Sequence, residues 1–478
     1  MTTPNRPIGA GLAGGGLWPA HLPRPVAPGP ALAPAAGGPS ADTLPSELST
    51  TKWPWRGVSW AVTYVGFLGY IFAMTTYWLP IGDVSVAVAL IGLLMMKEPV
   101  RVPGLLKGLG VLLLWGIVGA AITEYQSQVF DKLFEMVKLW LIALVAANAL
   151  RTRPQLRFFL VFWLGCFALF PVRGALFNYY IYGQTLFGRA LWNYIFSNPN
   201  DLAAYCILQL SMVFAINALE SRGPVRAASR IGLLLVPLLI LLTKSRGAFL
   251  GFAVFLLFVL WGQRRRGKAL GIALVAGAAL IFVAPDNVLD RVFALRKIEQ
   301  TGDVAAADEE GSAKQRYEIW KVARTIIREH PIAGVGLGAY PMAHQRTARR
   351  PMFDPIAWGR RDTHSTYLNV TAETGFVGII IFVATYLGGL ISIDRSRRKL
   401  KKLRPQTAQA IYFMQAGTIG FFIAATFGSV AHVSFLVLHV VTVWAMSEMM
   451  RREVAVATAS RRSQAFQLAH GAAAPGAR

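Results

Sequence analysis

The chain has 478 residues, of which 54% are hydrophobic and only 15% charged, with a mean hydropathy of +0.46, against about 25% charged in ordinary soluble proteins. Its apolar residues come in unbroken runs such as 233–243 (LLLVPLLILLT) and 247–261 (GAFLGFAVFLLFVLW), which leave no polar face for water and exclude a soluble enzyme, a secreted disulfide scaffold and a disordered chain. The net charge of +24 lies mostly in short stretches between those runs, a footprint of membrane orientation rather than of a nucleic-acid partner.

Residues 1–52 are rich in Pro, Ala and Gly and almost free of charge; they bury no core and are expected to be a disordered cytoplasmic tail. They lack the charged start, apolar centre and cleavage site of a secretory signal, which leaves the first apolar run to direct insertion. Twelve apolar segments follow, near 58–77, 79–96, 104–123, 132–149, 157–176, 199–219, 230–244, 247–263, 268–285, 364–392, 408–427 and 430–449. Each approaches the length that crosses a hydrocarbon core of about 30 Å. The pattern predicts an all-α polytopic membrane protein, with spans 1–9 in residues 53–285 and spans 10–12 in 364–450. The seventh segment is short, and Pro237 is expected to kink it. Cys166 and Cys206 both fall inside spans, so neither a disulfide framework nor a cysteine-ligated metal is on offer.

Basic residues set the orientation. Lys97/Arg101/Lys107, Arg151/Arg153/Arg157, Arg222/Arg226/Arg230, Arg264/Arg265/Arg266/Lys268 and the run 395–404 occupy every second loop. They predict that both termini are cytoplasmic, including a disordered tail over 451–478. The other loops are short except one. Residues 286–363 form a long segment of ordinary soluble composition, expected to be a partly helical periplasmic loop between spans 9 and 10. Within it, 312–330 places Tyr317, Trp320, Val322, Ala323, Ile326 and Ile327 at helical spacing, with Ser312 as an N-cap and Pro331 closing the helix. That face is expected to lie on the membrane surface or against the spans. A long structured loop on an otherwise minimal membrane protein is where function is sought.

Charges at the mouths of spans are costly without a partner or a task. On the non-cytoplasmic side the chain keeps Arg173, Arg189, Lys244, Arg246 and Arg316. Lys244 and Arg246 sit in the tight hairpin Thr243-Lys244-Ser245-Arg246-Gly247. Arg189 sits in an aromatic connector (Tyr179, Tyr180, Tyr182, Phe187, Trp192, Tyr194) that leads into Ser197-Asn198-Pro199-Asn200-Asp201, where Asn198 as N-cap and Pro199 at the first helical position start the sixth span. Any one of these arginines reads equally well as a snorkelling side chain. As a set they run against the positive-inside bias and suit a diphosphate, whose oxygens guanidinium forks pair bidentately. The neighbouring aromatic residues suit sugars or an interfacial belt.

The sharpest local pattern is 361–378, RDTHSTYLNVTAETGFVG. His364 opens the tenth span, Asp362 precedes it and Glu373 follows nine residues on; Asp362, Thr363 or Ser365 could cap the helix. A histidine there accepts a proton near neutral pH and is a candidate general base, or else it only caps and hydrogen-bonds within the bundle. His432 and His439, in the last span, lack neighbouring charge and read as interhelical packing groups. Gly334-Val335-Gly336-Leu337-Gly338 invites a nucleotide reading, but no apolar strand precedes it and no βαβ unit surrounds it. His330, His344, His364, Asp354 and Asp362 match no metal-ligand spacing. A transporter or channel is the alternative class, disfavoured because no internal repeat is evident and mid-span charge is limited to residues such as Asp83 and Lys138.

Taken in register, SNPNDLA (197–203), LLTKSRGAFLG (241–251), SAKQRYEIWKVA (312–323), HPIAGVGLGAY (330–340) and HSTYLNVTAETGFVG (364–378) resemble the O-antigen ligase and O-antigen polymerase superfamily of bacterial inner-membrane glycosyltransferases. The resemblance covers roughly 55–450. The form of the loop helix and the Thr-His-Ser triplet look closest to the subgroup named O-glycosylation ligases. The resemblance implies transfer of a glycan from undecaprenyl diphosphate to an acceptor on the periplasmic face, without metal, nucleotide or other cofactor. The implied acceptor is lipid A–core sugar in ligases, a growing glycan in polymerases or a protein hydroxyl in O-oligosaccharyltransferases. By motif, the family's functional arginines map onto Arg246 and Arg316, and less closely onto Arg189; its loop histidine maps onto His364. In that reading Arg189, Arg246 and Arg316 hold the diphosphate with Lys244 as a further contact. His364 orients or deprotonates the acceptor, and Glu373 and Asp362 support it.

Overall fold

The computed structural model of the chain describes residues 57–76, 80–221, 223–263, 267, 270–271 and 312–471. Among these the regular elements are helical, apart from a lone β-bridge between Leu186 and Arg189. The helices are α1 (Val58–Thr76), α2 (Gly82–Leu94), α3 (Gly104–Ile122), α4 (Gln126–Ala149), α5 (Arg153–Phe167), α6 (Arg173–Tyr180), α7 (Pro199–Leu219), α8 (Pro224–Leu242) and α9 (Arg246–Trp261). After the undescribed stretch come α10 (Ser312–Glu329), α11 (Tyr340–Thr347), α12 (Thr366–Leu400), α13 (Pro405–Ala424) and α14 (Ser434–Gly471).

Among the described residues, seven helical units are long and apolar enough to cross a membrane: α1, α3, the continuous α5–α6 unit, α7, α8, α12 and α13 with its 3-10 extension to Phe427. Helices α2 and α9 are apolar but have 13 and 16 residues, about 20 and 24 Å at 1.5 Å per residue. Helices stand at eleven of the twelve expected segments. The segment 268–285 (residues 270–271 apart), residues 286–311 and the tail 1–52 lie outside the described residues.

Three boundaries differ from the sequence reading. The seventh segment is not short: α8 starts at Pro224, after Gly223 at φ 95°, and runs through Pro237 with Arg226 and Arg230 on the helix itself. Helix α4 starts six residues before the expected span. Its charges are absorbed by pairing, Lys132 with Glu135 at 2.8 Å and Lys138 with Asp83 at 3.3 Å. The last helix continues to Gly471, where a structureless tail was expected from 451; the stretch REVAVATASRRSQAFQLA holds no Pro or Gly and favours helix.

Small residues bring the central helices together. A Cβ on Gly251 of α9 would lie 2.3 Å from the Gly420 carbonyl oxygen of α13, and one on Gly417 would lie 2.3 Å from Ser211 Cβ of α7. Such close approach is how helices associate where lipid removes the hydrophobic drive between them. Phe196 of the connector between α6 and α7 meets Phe167 and Phe435 edge to face, and Tyr205 stacks on Phe435 with centroids 4.8 Å apart. Where α4 meets α5, Arg153 and Arg404 share Glu453, and Arg157 pairs with Glu220. The connector meets the 243–247 hairpin, and α10 packs on α11 and on α12.

Candidate functional site

The first half of the site is built on the start of α7. Asn198 caps the helix by accepting from the Asn200 amide at 2.9 Å, with Pro199 in the first helical position, as the sequence predicts. Asn200 is the joint. Its Oδ1 accepts from Arg189 Nη2 at 2.7 Å and from Ser245 Oγ at 2.8 Å. Arg189 also donates Nε to the Thr243 carbonyl at 2.8 Å, and the Ala190 amide donates to Leu242 at 2.9 Å. The aromatic connector is thereby pinned to the 243–247 hairpin. Ser245 caps α9, Arg246 is its first residue and is half-buried, and buried Lys244 brings its Nζ to 3.3 Å from where a Cβ on Gly188 would stand. Two helix N-termini, those of α7 and α9, thus open beside three cations, an arrangement that favours an anion.

The second half comes from the loop. Helix α10 buries Ile319, Val322, Ala323, Ile326 and Ile327; Tyr317, expected on that face, is exposed, and the unmentioned Ile319 takes its place. The face packs on α12, α11 and the 355–357 turn rather than on lipid. Trp320 Nε1 donates to the Thr363 carbonyl at 2.8 Å, which fixes the loop end that carries His364. The side chain of Ser312 lies outside the described residues; the helix ends at Glu329, two residues before Pro331.

The glycine run has a packing role. Gly334, Gly336 and Gly338 all have positive φ. The Val335 and Gly336 amides donate to Ala372 and Glu373 carbonyls at 2.9 Å, and the Phe376 amide to Pro331 at 2.8 Å. Helix α12 is broken at Gly375 (φ 67°), whose Cβ would stand 2.0 Å from the Ile332 oxygen. The run is a clamp on the start of α12, and the nucleotide reading has no support in it.

His364 is half-buried and strained, at φ 49°. Among the described residues the non-glycine positions of positive φ are Phe187, Tyr194, Lys244 and His364, all in the connector, the hairpin or the loop end. Each costs about 1–2 kcal/mol, and such strain concentrates at functional sites. Burial first, and then the charges of Arg316 and Arg361, push His364 down to about 4. The imidazole is therefore neutral at neutral pH, as a general base has to be, though with a weakened pull on a proton. Asp362 is exposed to water, yet burial among protein atoms raises its carboxyl above the usual range, with the charge of Glu373 adding to the rise and the Ser429 hydroxyl opposing it. Asp362 Oδ1 accepts from the Thr363 amide at 3.0 Å and so closes a turn; Ser365 takes the N-cap position of α12 without a side-chain cap.

The structure brings Arg189 and Lys244 together, and Arg316, Asp362 and His364 together. Asp201, next to Asn200, joins the halves, since it lies within Coulombic range of both Arg316 and Asp362. Glu373 is not where a support for His364 would stand. It is buried and makes no hydrogen bond to His364; its Oε2 lies 3.7 Å from Nε2 of His432. His432 was read as a packing group without charged neighbours, and this pairing corrects that reading. His439 does pack as expected, with Nε2 3.1 Å from the Met414 carbonyl. The segment 428–433, whose residues from 430 were expected to open the last span, instead precedes the helix and docks beside His364: Thr366 Oγ1 donates to Gly428 O at 2.7 Å, and Thr363 and Ser429 hydroxyls meet at 3.1 Å. Nothing local in that segment signals it, whereas Asn200 and Asp201 could have been found from the polar SNPND stretch at a helix start.

Residues 231–383 match the family model Wzy_C, described as O-antigen ligase. That stretch holds Lys244, Arg246, Arg316, Asp362, His364 and Glu373; Arg189, Asn200 and His432 lie outside it. No curated protein matches the chain. The match over residues 231–383 is to an O-antigen ligase domain, and it supports the O-antigen ligase superfamily of membrane glycosyltransferases for this multi-pass membrane protein.

Proposed function

We propose that the chain moves a glycan from undecaprenyl diphosphate to an acceptor hydroxyl at the periplasmic face of the bacterial inner membrane, with O-antigen as the glycan and lipid A–core as the acceptor. The observation that carries this reading is the joint at the start of α7, where Asn200 ties Arg189 to the Lys244–Arg246 hairpin while neighbouring Asp201 faces Arg316 and Asp362. A doubly charged phosphate bridge needs cations from more than one direction, and guanidinium forks give them with geometric definition.

In this reading Arg189, Arg246 and Arg316 hold the diphosphate, with Lys244 beside them. They neutralise the charge that builds on the leaving oxygen as the anomeric bond breaks, the kind of preorganised stabilisation that contributes about 10²–10³ in rate per group. No step is assigned to a metal or nucleotide. His364, neutral and fixed by the Trp320–Thr363 bond, orients the acceptor hydroxyl towards the anomeric carbon. The strained backbone of His364 and Lys244 fits groups held in place for a task.

The test is glycan transfer by the purified protein in lipid nanodiscs. Arg316→Ala and His364→Ala should abolish transfer while the protein stays folded in the membrane; transfer at the parent rate by either variant refutes the reading. O-antigen polymerases and protein O-oligosaccharyltransferases share the donor, so the glycan profile of a deletion host assigns the acceptor. Accumulated lipid-linked polymer marks a ligase, single-repeat chains a polymerase and underglycosylated protein an oligosaccharyltransferase.

A further inference from the structure

Next to the site lies a group of buried polar atoms that the reading above does not use. Glu373 is 3% exposed, and its Oε2 has no hydrogen-bond partner among the described residues; neither ring nitrogen of His432 has one either. The hydroxyl of fully buried Tyr340 and Nε2 of His344 are unpartnered as well, and the two rings lie 5.5 Å apart on α11. Most buried polar groups in native proteins are satisfied, and each exception calls for a reason. The carboxylate and the imidazole face each other at 3.7 Å, beyond hydrogen-bond length. At that distance neither group satisfies the other. One added proton on His432 converts the two into a carboxylate–imidazolium pair and satisfies both partners at once.

Asp362 stands within electrostatic reach of this pair. The Asp362 carboxylate feels the charge of Glu373 and is hydrogen-bonded to the Ser429 hydroxyl, and Ser429 stands three residues before His432 in the same segment. Tyr340 lies in the field of both carboxylates. Lys132 and Asp201 also act on Asp362, while Arg316 and Arg361 act on His364.

Transfer releases a proton. The acceptor O–H bond breaks, a bond forms from that oxygen to the anomeric carbon, and the bond from that carbon to the phosphate oxygen breaks with its electron pair going to the diphosphate. His364, held by burial and two cations at about 4, orients the hydroxyl but is a poor resting place for the proton. We propose that Glu373 and His432 form a buried proton-accepting pair, which takes the acceptor's proton through Asp362, holds it as an imidazolium–carboxylate pair and returns it to water after product leaves. This deepens the reading of the same site and rests on it. Asp362 is the group that meets the acceptor; Glu373 and His432 act through it.

The test uses the full chain in nanodiscs with an undecaprenyl-diphosphate-linked glycan and its acceptor. His432→Gln and Glu373→Gln should lower kcat about 10- to 100-fold, within the range of lost acid–base assistance, with the donor KM within about twofold of the parent. The loss should shrink as the pH is raised, because solvent hydroxide then takes the proton, and added imidazole should restore part of the rate to His432→Ala. Parent kcat in His432→Gln overturns the proposal. So does a loss that neither pH nor imidazole alters, which marks a structural role. Where His432→Ala does not fold, the pH profile of Glu373→Gln decides in the same two directions. Failure here leaves Arg316→Ala and His364→Ala inactive, whereas failure of the underlying reading leaves them active, so the two are told apart.

Discussion

Replacing Asn200 with alanine tests whether the joint at the start of α7 sets the cation geometry. One oxygen accepts from the Arg189 guanidinium at 2.7 Å and from the Ser245 hydroxyl at 2.8 Å. The charged bond contributes about 1.5–3 kcal/mol and the neutral one about 0.5–1.5 kcal/mol, so about 2–4 kcal/mol of local organisation is at stake. Arg189 keeps its bond to the Thr243 carbonyl and Ser245 keeps its cap on α9, so the chain should still fold. What is lost is the alignment of one guanidinium with the hairpin. If about 1.4–2.8 kcal/mol of that reaches the transition state, transfer falls about 10- to 100-fold. Asn200→Asp separates frame from charge: it keeps both acceptors but sets a carboxylate against Arg189, so the donor KM should rise while thermal stability stays near the parent value. The assay is steady-state transfer in nanodiscs beside thermal unfolding of the same samples. Transfer by Asn200→Ala within about twofold of the parent refutes the reasoning, because Arg189 would then need no anchor from α7.

Two further outcomes follow from the same geometry. Arg361→Gln removes one of the two charges that depress His364, so the histidine should move up from about 4 towards its ordinary value of about 6.5. Since the unfolded chain binds that proton first, acid destabilises the fold between those two values, and the variant should narrow this window and move the acid limb of transfer upward; unchanged pH profiles of rate and unfolding count against it. Gly375→Ala meets both a positive φ and a backbone oxygen 2.0 Å away, so it should lose more than about 2 kcal/mol and expose 330–340 to protease, whereas Gly359→Ala, at φ 97° with open space around it, should lose only about 1–2 kcal/mol.

How much of this was legible follows from what each feature needs. Apolar runs and their flanking charges are local, so eleven helices stand where hydropathy puts them, and the caps at Asn198 and Ser245 depend on neighbours within three residues. The boundaries that differ do so because hydropathy marks the apolar stretch rather than the helix, which runs on into polar residues at the start of α4 and α8 and at the end of α14. The glycine run was rightly denied a nucleotide role in the sequence, but its packing role was not legible, because its need for glycine arises from the break in α12 at Gly375, some forty residues later.

The site divides along the same line. Arginines were legible because cations on the wrong side of a membrane protein stand out in any sequence, and His364 because a polar loop end meets an apolar span. The electrostatics of His364 was not legible, because its depression comes from Arg316 on α10, 48 residues away, and from burial that only packing creates. His432 is the strongest case. In the sequence it is a lone histidine beside an apolar span, and only the docking of 428–433 onto the start of α12, through Thr366 and Thr363, sets it against Glu373. A carboxylate 59 residues before its imidazole leaves no periodic trace. Pairings of this kind become visible only when the helices are assembled, and it is there that the proton chemistry of the site resides.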